Sequence, residues 1–146
     1  MRFVTVRVLV VDDQEPFRRA ATAVVNALDG FEVVGVAQTG EDSVAFVPEL
    51  RPDLVLMDVN LPGMTGLEAT RRIQQLRPST IVVLLSTYDR AEYGQEVDDC
   101  GAAEFVGKSA FDGNAVRRAW SGVGAGRHTD REDGLTGGSA DGRSST

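Results

Sequence analysis

With 146 residues, 42% of them hydrophobic, the chain is long enough for one domain with a real core and too short for several. A net charge of -7 and a pI near 4.7 argue against a non-specific binder of phosphate backbones. Cys100 is the only cysteine, which excludes an intramolecular disulfide and a multi-cysteine metal centre. No run approaches the roughly 18 apolar residues of a membrane-spanning helix, and Arg7 interrupts the opening apolar run before it could serve as a signal peptide. The expectation is a cytoplasmic protein with no membrane association.

Val4 to Val11 is rich in β-branched residues and predicts a first strand, closed by Asp12-Asp13-Gln14. Pro16 suits the first turn of a helix, and Phe17, Ala20, Ala21, Val24 and Leu28 recur at helical spacing until Asp29-Gly30. Phe31 to Ala37 reads as a second strand, and Val44, Ala45, Val47 and Leu50 give a second helix its apolar side. Pro48 lacks an N–H and clashes one turn back, at about 3 kcal/mol, which predicts a kink or an end near Val47. Leu54-Val55-Leu56-Met57-Asp58 is an unbroken apolar run ending in an acid, the mark of a strand buried on both faces.

The Asn60 to Gly66 loop leads into a third helix carrying Leu67, Ile73 and Leu76. Ile81 to Leu85 is a fourth strand ending at Ser86-Thr87. Asp89 to Asp99 predicts a weak fourth helix, because an interior Gly94 costs about 1 kcal/mol against alanine. Glu104-Phe105-Val106 is a short fifth strand followed by Lys108, and Phe111, Ala115, Val116, Ala119 and Trp120 mark a last helix. Cys100 reads as a small helix-end residue rather than a redox sensor. Composition changes at Ser121: glycine, serine, threonine and charges dominate to Thr146, so residues 1–120 form the domain and 121–146 a disordered tail. His128, the only histidine, falls in that tail and is read as incidental.

Five strand–helix repeats predict an α/β fold, a parallel sheet with helices on both faces, and are too few for a closed eight-strand barrel. Ligands of open α/β sheets bind at the carboxyl ends of the strands. Asp12, Asp13, Asp58, Ser86 and Lys108 all follow apolar runs, so all are candidates for that edge. Three carboxylates in one cleft repel unless a cation neutralises them, and an all-oxygen set suits Mg²⁺. The alternative is three solvent-facing acids with no shared site. There is no glycine-rich phosphate loop and no dinucleotide fingerprint. A phosphoryl group would instead be held by Lys108 and Ser86, with Asp58 as covalent nucleophile forming an aspartyl phosphate.

Val10-Val11-Asp12-Asp13, Asp53 to Asp58, Leu61-Pro62-Gly63-Met64-Thr65-Gly66, Leu85-Ser86-Thr87 and Gly101 to Lys108, in this order and at these separations, resemble the receiver domain of bacterial two-component response regulators. The likeness covers about Val6 to Trp120. It implies a flavodoxin-like, doubly wound five-stranded parallel sheet of order 2-1-3-4-5 with five helices. It implies that Asp58 is the phosphoacceptor, that Asp12, Asp13, Asp58 and the backbone carbonyl of Asn60 ligate Mg²⁺, that Ser86 and Phe105 are the switch pair, and that Lys108 pairs with the acceptor and then with the phosphoryl group. It further implies a sensor histidine kinase or phosphotransfer protein as donor. The chain would catalyse its own phosphorylation and slow dephosphorylation without being a turnover enzyme. A homodimer through the fourth helix, fifth strand and fifth helix is a further possibility, on a face built from Tyr93, Val97, Phe105 and the last helix.

Three departures stand out: Thr87 where the family usually has alanine or glycine, Ser109 where it often has proline, and Pro48 within the second helix. No output domain follows, so the chain is read either as a single-domain regulator with a tail or as a receiver cut from something longer. Direct nucleic-acid binding by this chain is not expected. Two other functions stay open: a phosphorylation-independent interaction module, and the receiver part of a longer helix-turn-helix transcriptional regulator. A hydrolase of free phosphate esters is disfavoured, because no acid–base pair or second metal cluster is visible.

The tail generates a first prediction. Removing Gly122 to Thr146 should leave the melting temperature and phosphorylation nearly unchanged, because the segment lacks a packable apolar pattern. A large loss of thermal stability in a scan of the truncated chain would show instead that it docks on the domain.

Overall fold

The computed structural model describes residues 4–122. Five parallel strands alternate with helices: β1 (Val6–Val11), α1 (Glu15–Asn26), β2 (Phe31–Ala37), α2 (Gly40–Leu50), β3 (Leu54–Asp58), α3 (Gly66–Leu76), β4 (Ile81–Ser86), α4 (Gln95–Asp99) and β5 (Glu104–Gly107), with 3-10 turns at Arg90–Glu92 and Lys108–Ala110. A last helix, α5, occupies 113–122. The strand order β2-β1-β3-β4-β5 is the doubly wound, flavodoxin-like order expected. No helix among the described residues is long and apolar enough to cross a membrane.

Alternation explains why the central strands are apolar throughout. Leu9, Val11, Val55, Met57, Val82 and Leu84 face one layer, with Val47, Ala69, Ile73 and Val97 from α2, α3 and α4. Val8, Val10, Leu54, Leu56, Val83 and Leu85 face the other, with Ala21 and Val25 from α1 and Val116 and Ala119 from α5. β3 and β4 are sandwiched along their whole length, so every one of their side chains except the last is apolar. Cys100 is buried at the end of α4, its Sγ 3.4 Å from the Val97 carbonyl, consistent with a packing role.

The register sets the site. Val11 lies opposite Met57, so Asp12 and Asp58 each come one residue later on neighbouring strands. Asp58 pairs with Leu85, and Ser86 with Gly107, which brings Ser86 and then Lys108 to the same edge.

Three local expectations are corrected. α2 runs unbroken through Pro48 to Leu50. The proline stands near the helix end, where few turns remain to be disrupted, and Arg51 closes the helix in the left-handed region (φ 50°), its N–H donating to the Val47 carbonyl at 2.8 Å. The single helix expected over 89–99 is instead a 3-10 turn and a five-residue helix, divided at Gly94. At φ 68°, ψ -149° that residue occupies a region open essentially to glycine alone, so it breaks the helix rather than merely weakening it. Phe111 precedes α5 and packs against Phe17, while α5 itself extends through Ser121 and Gly122, past the composition change. Residues 123–146 of the expected tail, with His128, lie outside the described residues.

Gly66 begins α3 directly above the end of β3. Thr65 caps the helix, its Oγ1 accepting from the Glu68 N–H at 3.1 Å, and the Gly66 N–H donates to the Val59 carbonyl at 2.9 Å. A Cβ at position 66 would stand 2.1 Å from the Asp58 carbonyl oxygen and 2.9 Å from the Val59 Cα. Both obstacles are backbone, so Gly66→Ala must displace the acid-bearing strand end. We expect a loss of about 3 kcal/mol or more, read as a fall in melting temperature of roughly 10 °C. A loss under about 1 kcal/mol in thermal unfolding would mean that the loop yields easily.

Candidate functional site

Asp12, Asp13 and Asp58 converge at the carboxyl edge, with one oxygen from each lying within 4.8 Å of the others. Asp12 has no exposed surface, Asp58 is 5% exposed, and Asp13 is open to solvent. Trans ligands around a Mg²⁺ ion lie about 4.2 Å apart, twice the metal–oxygen distance. The three carboxylates therefore fit one hard divalent cation, after only small adjustment, and the open side at Asp13 leaves room for retained water. Asn60 follows two residues after Asp58, and its N–H donates to Asp58 Oδ1 at 3.3 Å.

Buried Asp12 is held from several sides. Its Oδ1 accepts from the Gln14 N–H at 2.8 Å, and its backbone carbonyl accepts from Arg18 Nη1 at 2.8 Å. Its Oδ2 accepts from Lys108 Nζ at 2.6 Å, whereas Asp58 Oδ2 is 3.6 Å from the same nitrogen. The expected pairing of Lys108 with Asp58 is thus present only as the longer contact. The fully buried carboxylate takes the hydrogen bond because it has no water to turn to. Lys108 also lies over the Phe17 ring, 4.5 Å from its centroid, so the ammonium is held between a carboxylate and an aromatic face.

Ser86 is buried at the end of β4, where its Oγ accepts from the Tyr88 N–H at 2.9 Å and lies 2.5 Å from the Tyr93 hydroxyl. That hydroxyl also accepts from Asn60 Nδ2 at 2.7 Å. The Tyr93 ring rests against Phe105, with centroids 5.9 Å apart. Phe105 is half-buried beside a surface cavity of about 360 Å³ that it lines with Arg90, Val97, Asp98 and Glu104. Val97, placed by the sequence on a partner face, is instead 4% exposed and belongs to the core, since its five-residue helix turns its one large aliphatic side chain inward.

The acid cluster shapes the electrostatics. The pKa of Asp58 is raised from 3.8 to about 6: burial is the largest influence, the Asp12 carboxylate pushes the same way, Lys108 and the Asn60 N–H pull it down without prevailing, and Asp13 adds a small upward push. A raised pKa means a more basic carboxylate, still mostly ionised at neutral pH.

Four contributors escaped the sequence reading of this edge: Phe17 and Arg18 under Lys108 and Asp12, Gly66 above Asp58, and Tyr93 across Ser86 and Asn60. For the first two a signal existed, since a helix starting at Glu15 must keep its first turn near Asp12. Tyr93 was expected on a weak fourth helix and a partner face; the break at Gly94, which that pattern does not show, leaves its hydroxyl at Ser86 and Asn60 instead.

The chain matches the response regulator receiver domain over residues 8–119. It is 41% identical to the response regulator GacA of Pseudomonas viridiflava over 105 residues, which are 72% of this chain and 49% of that protein. It is 38% identical over 109 residues to protein-glutamate methylesterase/protein-glutamine glutaminase 2 of Photobacterium profundum, covering 74% of this chain and 28% of the relative. The chain therefore spans half or less of the length of these curated relatives. Among solved structures, a LuxR-family two-component response regulator from Aurantimonas sp. SI85-9A1 superposes with a TM-score of 0.75 at 28% identity, over 84% of this chain and 86% of the other.

The displaced pKa of Asp58 carries a stability prediction. Between pH 3.8 and about 6 the folded state keeps a proton that the unfolded chain has released. Stability therefore falls as pH rises through that window, and above it the ionised acid destabilises the metal-free fold by up to about 3 kcal/mol. Asp58→Asn removes the penalty. At pH 7 in chelator the variant should be about 1–3 kcal/mol more stable in urea, and the gap should close toward pH 4. A gap that is constant with pH, or of opposite sign, would show that Asp58 is not held in its acid-favouring surroundings.

Proposed function

The chain belongs to the response regulator receiver domain family, and we propose that it acts in signal transduction as a phosphorylation switch, with Asp58 as phosphoacceptor. The observation that carries this reading is the meeting of Asp12, Asp13 and Asp58 with Lys108 at one edge of the sheet. The donor is the phosphohistidine of a sensor histidine kinase or phosphotransfer protein. A carboxylate oxygen of Asp58 attacks phosphorus, and the bond from phosphorus to the imidazole nitrogen breaks, that nitrogen keeping the electron pair. The raised pKa of Asp58 supports this role, because a more basic carboxylate is the better nucleophile.

Asp12, Asp13, Asp58 and the backbone carbonyl of Asn60 would hold Mg²⁺. Bound there, it neutralises the crowded carboxylates and the charge on the phosphoryl oxygens. Lys108 is already within 3.6 Å of Asp58 and turns from Asp12 to a phosphoryl oxygen. Ser86 supplies one more hydrogen bond, and Thr87, exposed beside it, narrows the approach of water and slows hydrolysis. Phe105, next to its cavity, repacks when Ser86 moves. The new packing is read on the surface of α4, β5 and α5 by a partner or a second copy. In this reading the receiver runs through the end of α5 at Gly122, and the residues after it form a tail.

The experiment is incubation with Mg²⁺ and a small phosphodonor, followed by intact mass. Wild-type protein should gain one alkali-labile phosphoryl group. Asp58→Asn should gain none, chelation should abolish the gain, and Asp13→Ala should need much more Mg²⁺. Equal labelling of Asp58→Asn would remove Asp58 from the role. A wild-type chain that stays unlabelled but still binds its partner would favour the phosphorylation-independent module.

A further inference from the structure

One tyrosine joins the loop that follows Asp58 and the end of the neighbouring strand β4 to the aromatic at the far side of the switch. The Tyr93 hydroxyl lies 2.5 Å from Ser86 Oγ and accepts from Asn60 Nδ2 at 2.7 Å, and its ring stacks at a tilt of 54° on Phe105. Ser86 ends β4, while Asn60 sits two residues beyond the end of β3. The hydroxyl therefore spans the loop that leaves Asp58 and the end of the strand paired beside it.

Proton counting shows why this contact matters. Each hydroxyl carries one hydrogen, and one hydrogen lies between the two oxygens. Ser86 Oγ already accepts from the Tyr88 N–H, and the Tyr93 oxygen already accepts from Asn60. If Ser86 is the donor, its only proton is committed to Tyr93 and none is left for a phosphoryl oxygen. If Tyr93 is the donor, Ser86 Oγ is pinned between two donors and cannot turn without breaking a bond. In both cases Ser86 must release Tyr93 to move toward Asp58. Tyr93 itself is placed to move. It closes a 3-10 turn of three residues and precedes Gly94, whose backbone region most residues cannot adopt.

We infer that Tyr93 is a positioning residue whose hydroxyl latches Ser86 and Asn60 in the unphosphorylated arrangement and whose ring transmits their release to Phe105. The inference rests on Asp58 being the phosphoacceptor. It identifies a third member of the switch, in the segment that the sequence predicts as a weak fourth helix. A phenylalanine at 93 would keep the ring and its packing on Phe105 while removing only the hydrogen bonds, so the latch and the packing can be separated.

The test compares phosphorylation rates of wild type, Tyr93→Phe, Ser86→Ala and the double variant, with Mg²⁺ and a small phosphodonor, by intact mass. Tyr93→Phe should be faster by about 3- to 10-fold, the range of one or two neutral hydrogen bonds. In the Ser86→Ala background the same change should give less than about a 2-fold gain, because the partner is already gone. A second readout uses wild-type protein alone. The Asn60 side-chain amide, followed by NMR, should shift when beryllofluoride and Mg²⁺ are added, toward the position it holds in Tyr93→Phe without them. An unchanged or slower rate in Tyr93→Phe, an equal gain in both backgrounds, or an Asn60 amide that beryllofluoride leaves unmoved would each overturn the latch while leaving Asp58 as acceptor. A wild-type chain that takes up no phosphoryl group on Asp58 would overturn both.

Discussion

Asp12 has no exposed surface, yet it carries a carboxylate directly after the buried run Val8 to Val11 of β1. A buried acid is tolerable only when its lone pairs are satisfied and a counter-charge is close. Lys108 supplies the counter-charge from 96 residues away, at 2.6 Å, and by doing so ties the turn after β5 to the end of β1 across the middle of the sheet. The Phe17 face and the Gln14 N–H complete the arrangement. Much of the geometry at this edge follows from the need to keep that one acid paired.

The same need sets up a competition. Lys108 gives its short contact to Asp12, so Asp58, buried beside it, is left with the longer one and with a like charge as neighbour. Its ionised form is correspondingly unfavourable. A site in which three acids crowd together and one lysine reaches only two of them is held away from its electrostatic optimum, and it gains by taking up further positive charge or by converting one acid into something else. In the proposed function both occur together. The cost of crowding the acids is borne by a core that is sandwiched on both faces of the sheet.

The least regular part of the fold lies beside the most constrained. Between Ser86 and Glu104 the chain makes a 3-10 turn, a glycine break and a helix of five residues. The helix is too short to be stable alone, and Val97 and Cys100 are its only fully buried anchors. Tyr93 and Phe105 meet across this segment, and the cavity beside Phe105 leaves room for a second packing. An element with few buried anchors is the kind that can change state for a few kcal/mol, whereas the central strands are not.

The strand–helix order, the five strands and the acids at their ends were legible in the sequence, because each rests on a local pattern: unbroken apolar runs, helical spacing, and polar residues that interrupt them. Asp12, Asp13, Asp58, Ser86 and Lys108 could be placed at one edge for the same reason, since parallel strands put all their carboxyl ends on one side. Where the pattern was weak or the competing effects were local, the reading drifted. Pro48 predicts a kink or an end near Val47, yet the helix runs on to Leu50; Gly94 divides the helix that the pattern predicts around it, and Val97 is buried rather than on a partner face. Local pattern therefore identifies the residues that end the strands. Only the tertiary structure decided how those ends pair: that Lys108 favours Asp12 over Asp58, that Phe17 lies under Lys108, and that the Tyr93 hydroxyl bridges Ser86 and Asn60. Periodicity fixes the side of an element on which a side chain lies, but the distance between groups on different elements depends on sheet register, loop path and burial, and these are properties of the packed chain.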